Sequence, residues 1–151
     1  MKAELTKKDL APCVDCACFN IRKATRVITQ NFDEIMAPSG VRATQFTILV
    51  MIAGSDAATM SELADKLVMD RTTLTRNLKP LREQGLIKDM AGADRRTRSI
   101  ALTTKGRKVL LKALPLWKKA QARMTRYLGN ERFTELLGEL RLIERLSASP
   151  R

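Results

Sequence analysis

The chain contains no histidine. That removes the commonest general base near neutral pH, the Ser-His and Cys-His nucleophile pairs, and every zinc site that uses an imidazole. No Gly-rich phosphate loop, dinucleotide fingerprint or pair of carboxylates is present either. The usual parts of an enzyme are missing, so the sequence argues for a non-enzyme with no cofactor and no metal site.

Long apolar runs are missing too. The longest, Phe46 to Gly54, falls far short of the roughly 20 residues that span a bilayer. Met1-Lys2-Ala3-Glu4-Leu5 leads into charged residues with no apolar signal core, so a cytoplasmic protein without a membrane partner is expected. Cysteine is limited to Cys13, Cys16 and Cys18. An odd, clustered set makes a poor disulfide framework and fits a reducing compartment.

Acidic residues are scarce. Sixteen Asp/Glu face 28 Lys/Arg, for a net charge of +12, which points to a polyanionic partner. The charge is concentrated: Arg71 to Lys108 holds 11 Lys/Arg against 3 Asp/Glu, a net +8. A merely soluble surface mixes its signs more evenly.

What is present is helical. Ile21, Thr25, Ile28, Phe32 and Ile35 recur at three- and four-residue steps and predict one long amphipathic helix from Pro12 to Met36. Pro38-Ser39-Gly40 ends it. A second helix is expected over Ala43 to Ala53, buried through Phe46, Leu49, Val50 and Ala53. Thr59-Met60-Ser61-Glu62 is a capping box that opens a third helix, buried through Leu63, Ala64 and Leu67. Asp70 caps a fourth, with Leu74, Leu78 and Leu81 inward, Pro80 as a kink and Gly85 as its stop.

Two short strand-like runs follow, Leu86 to Met90 and Arg98 to Leu102, joined by a turn-forming, basic segment. Thr103 can cap a further helix. Leu110, Leu114, Trp117, Gln121, Met124 and Leu128 mark its stripe, with a kink at Pro115 and a break at Gly129-Asn130. A last helical stripe runs through Phe133, Leu136, Leu137, Leu140, Ile143 and Leu146. The terminal helices carry more apolar surface than a small domain can cover, which predicts a two-fold homodimer.

Helix, tight turn, basic helix and basic hairpin make a winged helix-turn-helix. The second helix of such a unit enters the major groove of double-stranded DNA, and its N-terminal half meets base edges. That half holds Arg71, Thr72, Thr73, Thr75 and Arg76. An arginine here can grip a guanine edge with two hydrogen bonds, while the threonines suit phosphates or a thymine methyl. Lys79, a turn later, suits a phosphate. Arg95, Arg96 and Arg98 can enter the narrow, negative minor groove from the wing. Asp94 is expected to hold Arg96 or Arg98 in place by a charged hydrogen bond. The expected fold is mainly α (α+β): a winged unit with a two-stranded wing at 41–104, flanked by dimerisation helices at 1–40 and 105–151.

These residues resemble a MarR-family transcriptional regulator. The resemblance rests on Gln45-Phe46, Ser61-Glu62-Leu63-Ala64, Arg71-Thr72-Thr73-Leu74-Thr75-Arg76, Gly85-Leu86-Ile87, Asp94-Arg95-Arg96-Thr97-Arg98 and Leu102-Thr103-Thr104-Lys105-Gly106. It covers nearly the whole chain. It implies a dimer on a pseudo-palindromic operator, repression relieved by a small ligand or by cysteine oxidation, and Ser61 among the DNA-facing residues. It also implies an effector cleft between the dimer helices and the winged unit, for which Phe19, Arg22, Arg26, Phe46 and Trp117 are candidates. Arginine beside aromatic surface would suit an aromatic or acyl anion. For Cys13, Cys16 and Cys18 three readings stand: packing between helices, thiol redox sensing and soft-metal ligation. A DNA-binding protein without sequence preference is the competing function.

Overall fold

The computed structural model describes residues 5–55, 57–91 and 98–148. Among the described residues seven α-helices and three strands follow one another: α1 (Lys7–Leu10), α2 (Ala17–Met36), α3 (Ala43–Ala53), β1 (Ala58–Thr59), α4 (Met60–Leu67), α5 (Arg71–Glu83), β2 (Ile87–Ala91), β3 (Arg98–Leu102), α6 (Thr104–Leu128) and α7 (Asn130–Glu144). Among the described residues no single helix is long and apolar enough to cross a membrane.

The long first helix departs from its expected bounds. Pro12 opens a 3-10 turn over Ala11–Asp15 instead of the α-helix, and α2 begins only at Ala17. Cys16 is its N-cap, in extended conformation. Asn20 holds the break from inside α2 by donating from Nδ2 to the carbonyls of Val14 at 2.8 Å and Cys16 at 3.0 Å. Periodicity alone does not register such a local side-chain competitor for backbone carbonyls. At the other end, Gly40 adopts φ +81° after the Ala37–Ser39 turn and reverses the chain. Asp33 then accepts the Ala43 N–H at 2.7 Å, which fixes the start of α3 against α2.

The middle helices are capped as their residues dictate. The Thr59 N–H donates to Glu62 Oε2 at 2.7 Å, and the Glu62 N–H donates back to Thr59 Oγ1 at 3.2 Å. Asp70 accepts the Thr73 N–H at 2.8 Å. Between the two helices Val68 sits at φ +51°, a left-handed conformation that costs a β-branched residue about 1–2 kcal/mol. The 2.9 Å bond from the Met69 N–H to the Ala64 carbonyl holds it there. Gly85 meets the same demand after α5 without strain, at φ +68°.

The sheet is antiparallel in the order β1-β3-β2. β2 and β3 form the expected wing, with Ile87 opposite Leu102 and Ala91 opposite Arg98. The two-residue β1 adds a third strand, pairing Ala58 with Ile100. It is too short to leave an alternating pattern. The core closes over this sheet edge: Phe46, Ile48, Leu49, Ile52, Leu63, Leu74, Leu78, Leu81, Leu86 and Ile100 are buried in one cluster with Met36 and Leu110. α3 buries Ile48 and Ile52 where Val50 and Ala53 were expected, and those two are half-buried.

Candidate nucleic-acid interface

α5 is fixed from three sides. Its inner face is Leu74, Leu78 and Leu81, each fully buried. Its start is held by Asp70, which takes both the backbone N–H and the hydroxyl of Thr73. Its end is tied to the wing by Arg82, whose Nη2 and Nε reach the two carboxylate oxygens of Asp89 at 2.9 and 3.2 Å. A bidentate pair of this kind sets an angle as well as a distance.

The outer face of α5 then has a definite composition. Arg71, Thr72, Thr75, Arg76 and Lys79 are exposed, and Thr73 is half-buried. Their hydrogen bonds divide them further. The Thr73 hydroxyl donates to Asp70 Oδ2 and the Thr75 hydroxyl donates to the Arg71 carbonyl, each at 2.7 Å. Both donors are therefore used within the helix, and Thr75 turns its methyl and lone pairs outward. Arg71 Nη2 donates to Ser61 Oγ at 2.7 Å, which joins α4 to α5 on the outer face. Lys79 lies 3.8 Å from Glu83 in an open, weak pair. Among the described residues Thr72 and Arg76 have no side-chain hydrogen bond, and the Arg76 charge helps to hold the Asp70 carboxyl ionised.

The capping carboxylates stay charged. The Thr59 backbone and side-chain hydrogen bonds hold Glu62 below the ordinary carboxylate range. The Thr73 side-chain and backbone bonds do the same for Asp70. Each negative charge sits at a helix N-terminus, where it is favoured.

The wing joins α6 through a tight corner. Thr103 Oγ1 accepts the Gly106 N–H at 3.0 Å and donates to the Gly85 carbonyl at 2.7 Å, while Lys105 Nζ donates to the Gln84 carbonyl at 2.7 Å. Gly106 presses on the Leu86 backbone so closely that a Cβ there would run into the Leu86 carbonyl oxygen. Arg98 is exposed at the start of β3. Asp94, Arg95 and Arg96 lie outside the described residues, so their expected roles stay expectations.

One basic feature escaped the sequence reading. α6 carries Lys105, Arg107, Lys108, Lys112, Lys118, Lys119, Arg123 and Arg126 and no acidic residue. Six of these, from Lys105 to Arg126, fall on one exposed stripe opposite the buried Leu110, Ala113 and Ala120. The signal was the missing acid over 25 residues, not any motif.

Of the expected effector residues, Phe46 and Trp117 are brought together. Phe46 and Trp117 stack with centroids 6.0 Å apart, and Phe46 belongs to the core. Phe19, Arg22 and Arg26 are exposed on α2, and Lys23 lies over the Phe19 ring at 5.1 Å from its centroid. Cys13, Cys16 and Cys18 are free thiols, all exposed on the single chain.

A helix fixed by its caps, a buried leucine face and a wing strand is a geometry shared with known proteins. The MarR family's sequence profile matches residues 39–97. The M. tuberculosis transcriptional regulator MosR, solved in complex with DNA, is 41% identical over 88% of this chain and 96% of that one, with a TM-score of 0.79. The chain belongs to the MarR family. As a member it is a DNA-binding transcriptional regulator of winged helix-turn-helix fold, not an enzyme. The transcriptional repressor CouR, solved on a 23-mer DNA duplex, is 26% identical over 95% of this chain and all of that one, with a TM-score of 0.80. The organic hydroperoxide resistance transcriptional regulator of Bacillus subtilis is 26% identical over 66% of this chain and 68% of its own length. A second curated relative is matched over 64% of its length.

Proposed function

We propose that this MarR-family member is a sequence-specific repressor that binds a pseudo-palindromic operator as a homodimer, working in the cytoplasm beside the DNA. The observation that carries this reading is the outer face of α5. Thr72 and Arg76 project from a helix whose backbone is already fixed and, among the described residues, have no side-chain hydrogen bond to break before they meet base edges. Arg71 and Ser61, bonded to each other, hold a phosphate or a base edge as a unit. Thr73 and Thr75 shape the surface, Lys79 meets a phosphate, and Arg95, Arg96 and Arg98 enter the neighbouring minor groove from the wing, with Asp94 steadying them. The basic stripe of α6 adds long-range attraction to the duplex.

In this reading residues 41–104 are the DNA-binding unit, and residues 1–40 and 105–151 pair two copies. Support for the pairing is the apolar surface that one chain leaves open. Phe19, Ile21 and Val27 on α2 are exposed, and none of the residues of α7 is buried, leaving Leu136, Leu140 and Ile143 at the surface. An aromatic or acyl anion releases the operator by shifting the helices that set the distance between the two recognition helices. Oxidation of Cys13, Cys16 or Cys18 is a second route, favoured by three exposed thiols at the start of α2.

Selection from a random duplex pool tests the function. The expected product is a two-fold symmetric motif with half-sites about one helical turn (~10 bp) apart. A pool that stays random through selection, with binding retained, would establish the architectural alternative.

A further inference from the structure

The helices around the winged unit take their N-terminal caps from different places. Thr59 caps α4, Asp70 caps α5 and Thr103 caps α6, each from the residue just before its own helix. α3 has Arg42 at its N-cap. A guanidinium only donates, so the Arg42 side chain offers no acceptor to the N–H groups that a helix start leaves open. Gln45 Oε1 reaches back to the Arg42 N–H at 3.0 Å. The Ala43 N–H, the first of the helix itself, goes to Asp33 Oδ1 at 2.7 Å, ten residues earlier on α2. A carboxylate is favoured at that end of a helix. Among the described residues no other hydrogen bond or ion pair joins α2 to the winged unit.

The chain between the two helices is closed as well. Ser39, the one buried polar residue among those described, donates from Oγ to the Met36 carbonyl at 2.6 Å and accepts the Val41 N–H at 3.3 Å. Phe32 and Met36 of α2 rest on the winged core. Apolar packing is non-directional and lets helices slide, whereas a short charged hydrogen bond fixes where they meet. We infer that Asp33 is a positioning residue for operator binding: by capping α3 from α2, it locks the reading head to a helix that pairs two copies, and so sets the half-site spacing that the dimer accepts. This rests on the reading of the protein as a dimer on a pseudo-palindromic operator. Movement between the copies is then carried to the heads instead of being absorbed at the joint.

Binding to operators whose half-sites are moved apart by one or two base pairs, read by fluorescence anisotropy, tests the lock. Each added pair turns one half-site by about 35° relative to the other. The parent dimer follows only by breaking the bond in at least one copy. Asp33→Ala should therefore bind the shifted operators about tenfold more tightly than the parent does, the yield of one charged hydrogen bond that no longer has to break, with no gain on the selected operator. A variant that was merely less stable would lose on all of them. Asp33→Asn keeps an acceptor at Oδ1 and should keep the parent's preference. Should Asp33→Ala fold poorly, Ala43→Pro added to it removes the orphaned N–H. Proline is tolerated at the first helical position, and Arg42 before it is already extended at φ −81°, ψ 160°. That double variant should melt no lower than Asp33→Ala and bind as it does. A spacing preference that survives in both, equal losses at every spacing, or a preference lost in Asp33→Asn overturns the proposal. A parent chain that binds every spacing equally overturns the dimeric operator reading, and the proposal with it.

Discussion

From Ala43 to Leu102 the chain covers most of its own apolar residues, with Met36, Val41 and Leu110 closing the same core; the flanking helices leave many of theirs open. The winged unit buries Phe46, Ile52, Leu63, Leu74, Leu81, Ile87 and Ile100, and among its large apolar side chains Val68 and Met90 are exposed. The flanking helices leave Phe19, Val27, Leu111, Leu136, Leu140, Ile143 and Leu146 open. The difference separates two tasks. A reading head must hold its shape whether or not DNA is bound, so its caps, leucines and Arg82–Asp89 pair close within one chain. On the proposed dimer, the flanking helices complete their surface on a second copy, which leaves their arrangement adjustable.

The comparison breaks most strongly at α7. Leu136→Glu with Leu140→Glu should leave the winged unit folded and convert a dimer to a monomer. Affinity for the full operator should fall by two orders of magnitude or more, on the order of the gain from linking two sites. Sedimentation and a circular dichroism melt check this together; a variant that still sediments as a dimer contradicts it. Next in size is Gly106→Ala, which drives a methyl into the Leu86 carbonyl at the corner between wing and α6. A loss of about 2–4 kcal/mol in urea unfolding is expected. Unchanged stability would mean that the corner yields.

Smaller effects sharpen the division of labour on α5. Arg76→Ala should cost about 1–3 kcal/mol at the operator and relax base preference, whereas Lys79→Ala should weaken operator and random duplex alike. Identical losses on both DNAs from both variants would refute the assignment of Arg76 to a base edge. The smallest effect concerns pH. Glu62 and Asp70 are held below their ordinary range by hydrogen bonds in the folded chain. Their contribution is therefore present above the unfolded carboxylate pKa and lost as pH falls below about 4 through the folded values. Thr59→Ala, which removes the partner of Glu62, should lower stability by about 1 kcal/mol near neutrality and flatten that acid dependence. A thermal melt series from pH 3 to pH 7 reads both.

The same division governs what was legible in the residues. Elements whose ends are set by local chemistry stood where Thr59, Asp70, Gly85 and Thr103 put them, because a cap acts within three residues. The start of α2 did not: Pro12 and the periodic stripe suggested one helix, and Asn20, reaching back to Val14 and Cys16, divides it. β1 was invisible because two residues carry no period. On α5 the residue types were readable, but not that Thr73 and Thr75 turn their hydroxyl protons inward; that depends on rotamers.

The central claim is that a rigid α5 reads base sequence while the charge around it supplies only attraction. The most direct test is a salt titration of the dimer on its selected operator and on random duplex of equal length. The account predicts a steep fall in affinity with salt on both, and an operator preference of about 10³-fold or more at physiological salt. Equal affinities there, with the same salt slope, would contradict it.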